Sequence, residues 1–189
     1  MHFETQTIYH LYNQGNKGQE IFFSRSNYLF FLRKARTYLL PHCDILCYCL
    51  LPNHFHFLIY VNEVERLVKN KKSGLLKPRT INDSISIMLR SYTRAVNESR
   101  GESGSLFRQE TKAKNGDKEH FITLLGSEEL FFGGGDYGVI CFDYIHENPP
   151  KAGLVSQSVE WEFSSAQDYA GLRNGTLCNQ QLAKELGLF

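Results

Sequence analysis

Two histidines stand at alternate positions of an otherwise apolar run, PNHFHFLIYV, as His54 and His56. On a strand, residues i and i+2 share a face, so the two imidazoles project together with Cα atoms about 7 Å apart. Their ring nitrogens can converge on one cation at about 2 Å. Phe55, Phe57 and Ile59 take the opposite face and anchor the strand. Two imidazoles make an incomplete metal site, so a third donor has to come from elsewhere in the chain. The plainer reading is a pair of core histidines, each satisfied by a backbone carbonyl. Spacing alone leaves both readings open.

A second chemistry-bearing stretch is CFDYIHENPPKAGLV, residues 141–155. On a helix Tyr144 and Asn148 are i and i+4 and share a face, whereas His146 lies about 200° around from Tyr144 and points away. Asn148 can offer its amide oxygen to a metal. A tyrosine beside a metal can serve as a covalent nucleophile. Its ordinary alternative is a half-buried aromatic with a satisfied hydroxyl. Tyr137, two turns earlier on the same helix, is the first alternative nucleophile. Cys43, Cys47 and Cys49 form a further candidate group, a zinc site read as three thiols on one strand face; a small apolar core role suits them better.

The elements that must position these groups are legible in outline. Residues 8–15 read as a strand running into a Gly/Asn turn. From Ser26, the expected N-cap, SNYLFFLRKARTYLL reads as a helix that ends before Pro41. Its apolar side is assigned to Leu29, Phe30, Leu32, Tyr38 and Leu39, and its basic side to Arg33, Lys34 and Arg36. Residues 44–51 and 54–61 are two strands around Pro52-Asn53, an antiparallel hairpin apolar on nearly every residue and so covered on both faces. Residues 63–80 read as a basic connection. From Asn82 or Asp83 a second long helix follows, with Ile85, Met88, Leu89, Tyr92 and Val96 at helical spacing. Residues 105–115 form a weaker strand candidate. A glycine triplet, Gly133–Gly135, precedes the helix that carries Tyr144, which Pro149-Pro150 is expected to close. This order predicts an α+β fold, a ferredoxin-like split β-α-β antiparallel sheet with helices on one face and an added C-terminal catalytic helix. Residues 1–155 form the expected domain, and 156–189 a C-terminal extension.

Composition sets bounds on function. With 42% hydrophobic and 22% charged residues in 189, the chain can bury a core and is not disordered. No apolar stretch approaches the roughly 18 residues that span a bilayer. The N-terminus lacks the pattern of a signal peptide, and five cysteines without a disulfide framework fit a reducing compartment, so a cytoplasmic protein is expected. The overall charge of +1 conceals an asymmetry: from Arg66 to Lys118 there are 13 Lys/Arg against 5 Asp/Glu. A basic half is compatible with a polyanionic partner on one face, or with a solvated charged surface.

Taken in order and at their spacing, LPNHFHFLI and YIHENPPKAGLV resemble the REP-associated tyrosine transposases, single-tyrosine enzymes of the HUH nuclease superfamily, named for His-hydrophobic-His. The resemblance runs from about Tyr9 to Val155 and includes the basic second helix and LFRQ. Pro150 replaces the aliphatic residue usual in NPVKAG, and GSEELFFGGGDYG is less typical. Three glycines beside the catalytic helix suggest that it moves, docking on its own sheet or a partner's. The resemblance implies that Tyr144 is the nucleophile and that His54, His56 and Asn148 hold Mg²⁺ or Mn²⁺. It further implies that single-stranded or hairpin DNA is the substrate, cut and rejoined through a 5′-phosphotyrosine link, and it allows a homodimer. Arg90, Arg94, Arg108, Lys112 and Lys114 are candidate phosphate contacts, and Tyr92 and Phe107 candidate stacking partners for bases. Two rivals remain: a metal-dependent phosphodiesterase with water as nucleophile, and a nucleic-acid-binding protein that does not cleave.

Overall fold

Period-two alternation builds a sheet whose two faces carry different chemistry. The computed structural model describes residues 1–70, 73–115 and 137–189, and the backbone alone of 120–123 and 129–132. Strands β1 (Thr7–Gln14), β2 (Cys43–Leu51), β3 (His54–Val61) and β6 (Lys112–Asn115) form one four-stranded sheet in the order β2-β3-β1-β6, with every neighbouring pair antiparallel. The fold is therefore α+β with an antiparallel sheet. Pro52 and Asn53 make the β2–β3 turn, as their position predicts. The turn is anchored from outside: Ile21 and Phe22 N–H groups donate to the Pro52 carbonyl, and Gly15 N–H donates to that of Asn53. His54, the first residue of β3, thus sits on a fixed corner.

Helix α1 (Arg25–Tyr38) begins two residues earlier than its sequence suggests. Ser24, not Ser26, is the N-cap. It is extended (φ −157°, ψ 158°) and its Oγ accepts from Asn27 N–H at 3.4 Å, while Asn27 Oδ1 accepts from Phe23 N–H at 3.1 Å. That reciprocal pair outcompetes Ser26, which lies inside the first turn. The buried stripe is also shifted: Tyr28, Phe31, Ala35 and Leu39 face the core, and Leu29, Phe30, Leu32 and Tyr38 flank it. Helix α2 (Ile81–Arg100) is capped by Thr80 in a reciprocal box with Asp83, and Ile85, Met88, Leu89, Tyr92 and Val96 are all buried. Residues 63–80, read above as a connection, contain a separate two-stranded ribbon, β4 (Glu65–Lys69) with β5 (Leu76–Thr80). Of the weak candidate at 105–115 only β6 is a strand, preceded by a single bridge between Gly15 and Phe107. A further backbone ribbon pairs β7 (His120–Thr123) with β8 (Glu129–Phe132).

Helix α3 (Tyr137–Lys151) runs through Pro149 and Pro150 rather than stopping at them. Its end is set by Gly153 (φ 69°): Leu154 N–H donates to the Pro149 carbonyl and Gly153 N–H to that of Pro150. This is a Schellman closure, in which glycine supplies the left-handed residue. The prolines fall in the last turn and remove only two N–H groups. The glycine triplet at Gly133–Gly135 lies outside the described residues.

Helices α1 and α2 cover one face of the sheet. Phe31, Met88 and Tyr92 pack there on Leu11, Phe55 and Phe57. Tyr92 and Phe107 belong to this core and are not available for base stacking. Tyr92 is fully buried and its hydroxyl donates to the Ile21 carbonyl at 2.6 Å. Helical spacing that looks amphipathic in sequence had simply placed Tyr92 on the inward stripe. Helix α3 covers the other face, with Cys141, Phe142 and Ile145 against Leu46, Cys47, Cys49 and Leu58. A bulge in β2 decides which cysteine goes where. The register passes from Ile45↔Ile59 to Cys47↔Leu58, so Leu46 is an extra residue. Side chains flip parity across a bulge. Cys43 therefore joins the α1/α2 core while Cys47 and Cys49 face α3, so the three thiols do not share a face.

Residues 156–189 pack back on the outer edge of β2. Trp161 Nε1 donates to the Leu50 carbonyl at 2.9 Å, Cys178 bridges Ile45, and Phe163 stacks on Tyr28 with ring centroids 3.8 Å apart. Arg173, in the connection between the short helices α4 (Ala166–Tyr169) and α5 (Gln180–Glu185), pairs with buried Asp168 of α4. This covers backbone groups that an open edge strand would expose.

Phe31 has no exposed surface and meets the rings of Phe22, Phe55, Phe57, Tyr92 and Phe107. Phe31→Ala is expected to lower stability by about 3–5 kcal/mol in urea unfolding. A loss under about 1 kcal/mol would show that this aromatic cluster is not the centre of the core.

Candidate active site

The face of the sheet opposite α1 and α2 carries a row of polar side chains where β1 and β3 meet. Register pairs Tyr12 with His56 and Gln14 with His54. His10, Tyr12, His54 and His56 fall on this face because each is two residues from its neighbour along its strand. Helix α3 then lays Tyr144 and Asn148 over them. The Tyr144 ring stands edge-on to His56 at 5.6 Å and to His10 at 6.0 Å. The His54 and His56 rings are perpendicular, with centroids 5.0 Å apart.

Each histidine of the pair has one nitrogen engaged and one left over. His54 Nδ1 donates to Asn53 Oδ1 at 2.6 Å, and His56 Nδ1 meets His10 Nε2 at 2.8 Å. Among the described residues, His54 Nε2 and His56 Nε2 are buried without a hydrogen-bond partner. The simple alternative, core histidines satisfied by backbone carbonyls, is therefore not what the fold provides. Two orphaned buried nitrogens cost stability unless something else meets them. Asn148 Nδ2 donates to the Tyr144 carbonyl at 2.7 Å. That fixes the amide close enough to His54 to favour its protonated form, and close enough to the Tyr144 hydroxyl to favour the phenolate. No third His, Cys, Asp or Glu completes a metal cluster among the described residues. The donor set at hand is two imidazole nitrogens and one amide oxygen, and those donors suit a divalent cation with open positions.

Electrostatics keep the imidazoles neutral. Burial pushes His54 down to about 4, partly offset by Asn148. Burial and the nearby cation of Lys114 take His10 down to about 3. His56 is held well below its ordinary value by burial and by its two histidine neighbours. Neutral imidazole is the form that can donate a lone pair. Burial raises the Tyr144 phenol above its ordinary value, against the effect of Asn148. Tyr144 therefore rests as a phenol, and a cation on the adjacent nitrogens would lower the cost of its ionisation.

The structure brings together Tyr144, His54, His56 and Asn148, and divides the five candidate DNA contacts. Lys112 and Lys114 pair with Tyr12 and His10 across β1–β6, so they share the histidine face. Arg90, Arg94 and Arg108 line a groove of about 530 Å³ between α2 and the segment before β6, on the opposite side of the sheet. His146 turns away from Tyr144 as helical geometry predicts, and meets Ser165 Oγ at 2.8 Å. Tyr137, the alternative nucleophile, is 1% exposed at the start of α3 beside Cys141, which leaves it inside the core rather than at the surface. Three neighbours escaped the sequence analysis: His10, Tyr12 and Lys151, whose Nζ lies 5.9 Å from the Tyr144 ring centroid. A signal for the first two was present, since His10 and Tyr12 repeat on β1 the i, i+2 spacing of His54 and His56.

Comparison with solved structures finds a chain described as a REP-associated tyrosine transposase bound to a REP hairpin. It is 17% identical, with a TM-score of 0.57, over 92% of this chain and 86% of that one. At this identity the likeness is one of fold. No protein-family model matches the chain, and no curated protein matches it. No helix among the described residues is long and apolar enough to cross a membrane.

The buried imidazoles make the fold acid-sensitive. Unfolded, each takes up a proton near pH 6.5; folded, His10 resists until about 3, and His54 and His146 until about 4. Between those values the unfolded chain binds more protons. Stability is thus complete above pH 6.5 and is lost as pH falls towards about 4. Urea midpoints measured from pH 8 to pH 4 should decline below 6.5; a flat profile would contradict the buried neutral histidines.

Proposed function

We propose that this protein is a transposase-like DNA strand transferase that cleaves and rejoins single-stranded, hairpin-forming DNA through a covalent link to Tyr144. The observation that carries this reading is the pair of orphaned Nε2 atoms on His54 and His56 beneath Tyr144 and Asn148. A phenol, two neutral imidazoles and a fixed amide on one face are the parts that metal-assisted phosphoryl transfer needs. Support also comes from the fold likeness to a transposase bound to a DNA hairpin. The strand order β2-β3-β1-β6, with helices between β1 and β2 and between β3 and β6, favours the ferredoxin-like, split β-α-β description.

His54 Nε2, His56 Nε2 and the Asn148 amide oxygen would hold the cation. Imidazoles tilt the preference towards Mn²⁺, and Mg²⁺ suits the phosphate oxygens. When bound, it supplies Lewis-acid charge to the non-bridging oxygens of the scissile phosphate. Tyr144 Oη then forms a bond to phosphorus and the bond to the 3′ oxygen breaks. The phenol gives up a proton and the departing 3′ oxygen gains one. The product is a 5′-phosphotyrosine ester, which keeps the bond energy for a later attack by a 3′-hydroxyl. Asn148 orients the backbone turn that carries the phenol, and Lys112 and Lys114 put positive charge on the face where the phosphate arrives. Arg90, Arg94 and Arg108, on the other side, would grip backbone phosphates remote from the cut.

Two measurements test this. Incubation with hairpin oligonucleotide and Mn²⁺ should give a covalent adduct on a denaturing gel, absent in Tyr144→Phe although that variant still binds the hairpin. Hydrolysed product without an adduct would favour water as nucleophile. Salt-dependent binding without any cleavage would favour a binding protein. Separately, Arg90→Ala, Arg94→Ala or Arg108→Ala should each flatten the plot of log affinity against log salt by up to about one unit. Unchanged slopes would remove the groove from the DNA path.

A further inference from the structure

We infer that His10 is a positioning residue, whose ring holds His56 in the tautomer that leaves the His56 Nε2 lone pair directed at the site; this rests on the strand-transfer reading above. The contact is buried and specific. His10 Nε2 lies 2.8 Å from His56 Nδ1, both side chains are under 10% exposed, and the rings are within 27° of coplanar. A single proton occupies that contact. If His56 Nδ1–H donates to His10 Nε2, His56 Nε2 carries a lone pair. If the proton sits on His10, His56 Nε2 becomes a buried N–H with no acceptor in reach. The same arrangement recurs next door, where His54 Nδ1 donates to the Asn53 oxygen and Nε2 is the atom left over. With the first assignment both Nε2 atoms are lone-pair donors.

The contact is also built to last. His10 stands on β1, a central strand hydrogen-bonded on both sides, and is the diagonal neighbour of His56 across the β1–β3 pair, where register sets His10 opposite Leu58 and Tyr12 opposite His56. Tyr12 flanks His10 with ring centroids 4.8 Å apart, and Tyr144 closes over it edge-on. Metal-ligating imidazoles generally give their second nitrogen to an acceptor that fixes orientation and basicity, and loss of that acceptor weakens metal binding about 10–100-fold. A neutral histidine is an uncommon acceptor for this purpose. It supplies direction without adding negative charge to a face that must receive phosphate.

Two variants separate positioning from bulk. His10→Phe keeps a ring against Tyr12 and Tyr144 but removes the acceptor; His10→Gln restores an amide oxygen. In metal-free protein, ¹⁵N NMR of His56, assigned by its loss in His56→Ala, should show Nδ1 protonated in the wild type and in His10→Gln, and a move towards Nε2–H in His10→Phe. Mn²⁺ affinity by electron paramagnetic resonance should fall about tenfold or more in His10→Phe and recover in His10→Gln. A wild-type His56 protonated on Nε2 overturns the inference, as does His10→Phe with an unchanged tautomer and undiminished Mn²⁺ affinity. If His10→Phe fails to fold, the wild-type tautomer and His10→Gln decide the matter. If wild-type protein binds no Mn²⁺, the strand-transfer reading loses its metal, and the tautomer comparison still decides for or against His10.

Discussion

Two imidazole nitrogens, His54 Nε2 and His56 Nε2, are withdrawn from water with nothing among the described residues to satisfy them. Burying such groups is unfavourable by about 1–3 kcal/mol each. The surrounding structure holds them there regardless. The Pro52-Asn53 turn is tied to three N–H donors from residues 15–22, Asn53 takes His54 Nδ1, and His10 takes His56 Nδ1. Each constraint leaves the same nitrogen facing Tyr144 and Asn148. A buried polar group without a partner in a folded protein calls for an explanation, and the proposed cation would supply one.

The sheet makes this tolerable by dividing its faces. One face is an aromatic core in which Phe31, Phe55, Phe57, Tyr92 and Phe107 interlock beneath α1 and α2. The other is apolar under β2 and the second half of β3, where α3 and the C-terminal residues pack on Leu46, Cys47, Cys49 and Leu58. Around His10, Tyr12, His54 and His56 that second face turns polar. Helix α3 spans the boundary: Phe142 and Ile145 bind it to the apolar half, and Tyr144 and Asn148 reach the polar half. The phenol and the amide are therefore placed by the packing of Phe142 and Ile145 on the same helix together with the Asn148–Tyr144 hydrogen bond.

Charge follows the same division. Lys112 and Lys114 stand on the histidine face through their register with β1, and Arg90, Arg94 and Arg108 line a groove on the far side of the sheet. A chain near neutrality thus presents two separate cationic regions. Under the proposed strand-transfer reading, this arrangement would keep the grip on a folded hairpin apart from the phosphate that reacts.

Local and periodic features could be read without the fold. The i, i+2 spacing put His54 and His56 on one face, the i, i+4 spacing paired Tyr144 with Asn148 and turned His146 away, and the buried stripe of α2 followed its repeat. Errors arose where a neighbour in space or a single extra residue decided the outcome. Ser24 displaced Ser26 as cap through Asn27; Leu46, one bulged residue, moved Cys43 to the opposite face from Cys47 and Cys49; Gly153 ended α3 beyond its prolines. His10 lies 46 residues from His56, and only the antiparallel pairing of β1 with β3 makes them neighbours. Sequence by itself determined which side chains share a face, because that depends on backbone period alone. Tertiary structure decided which faces meet and which nitrogen each imidazole keeps free, because strand register and helix docking are set by packing across the whole chain.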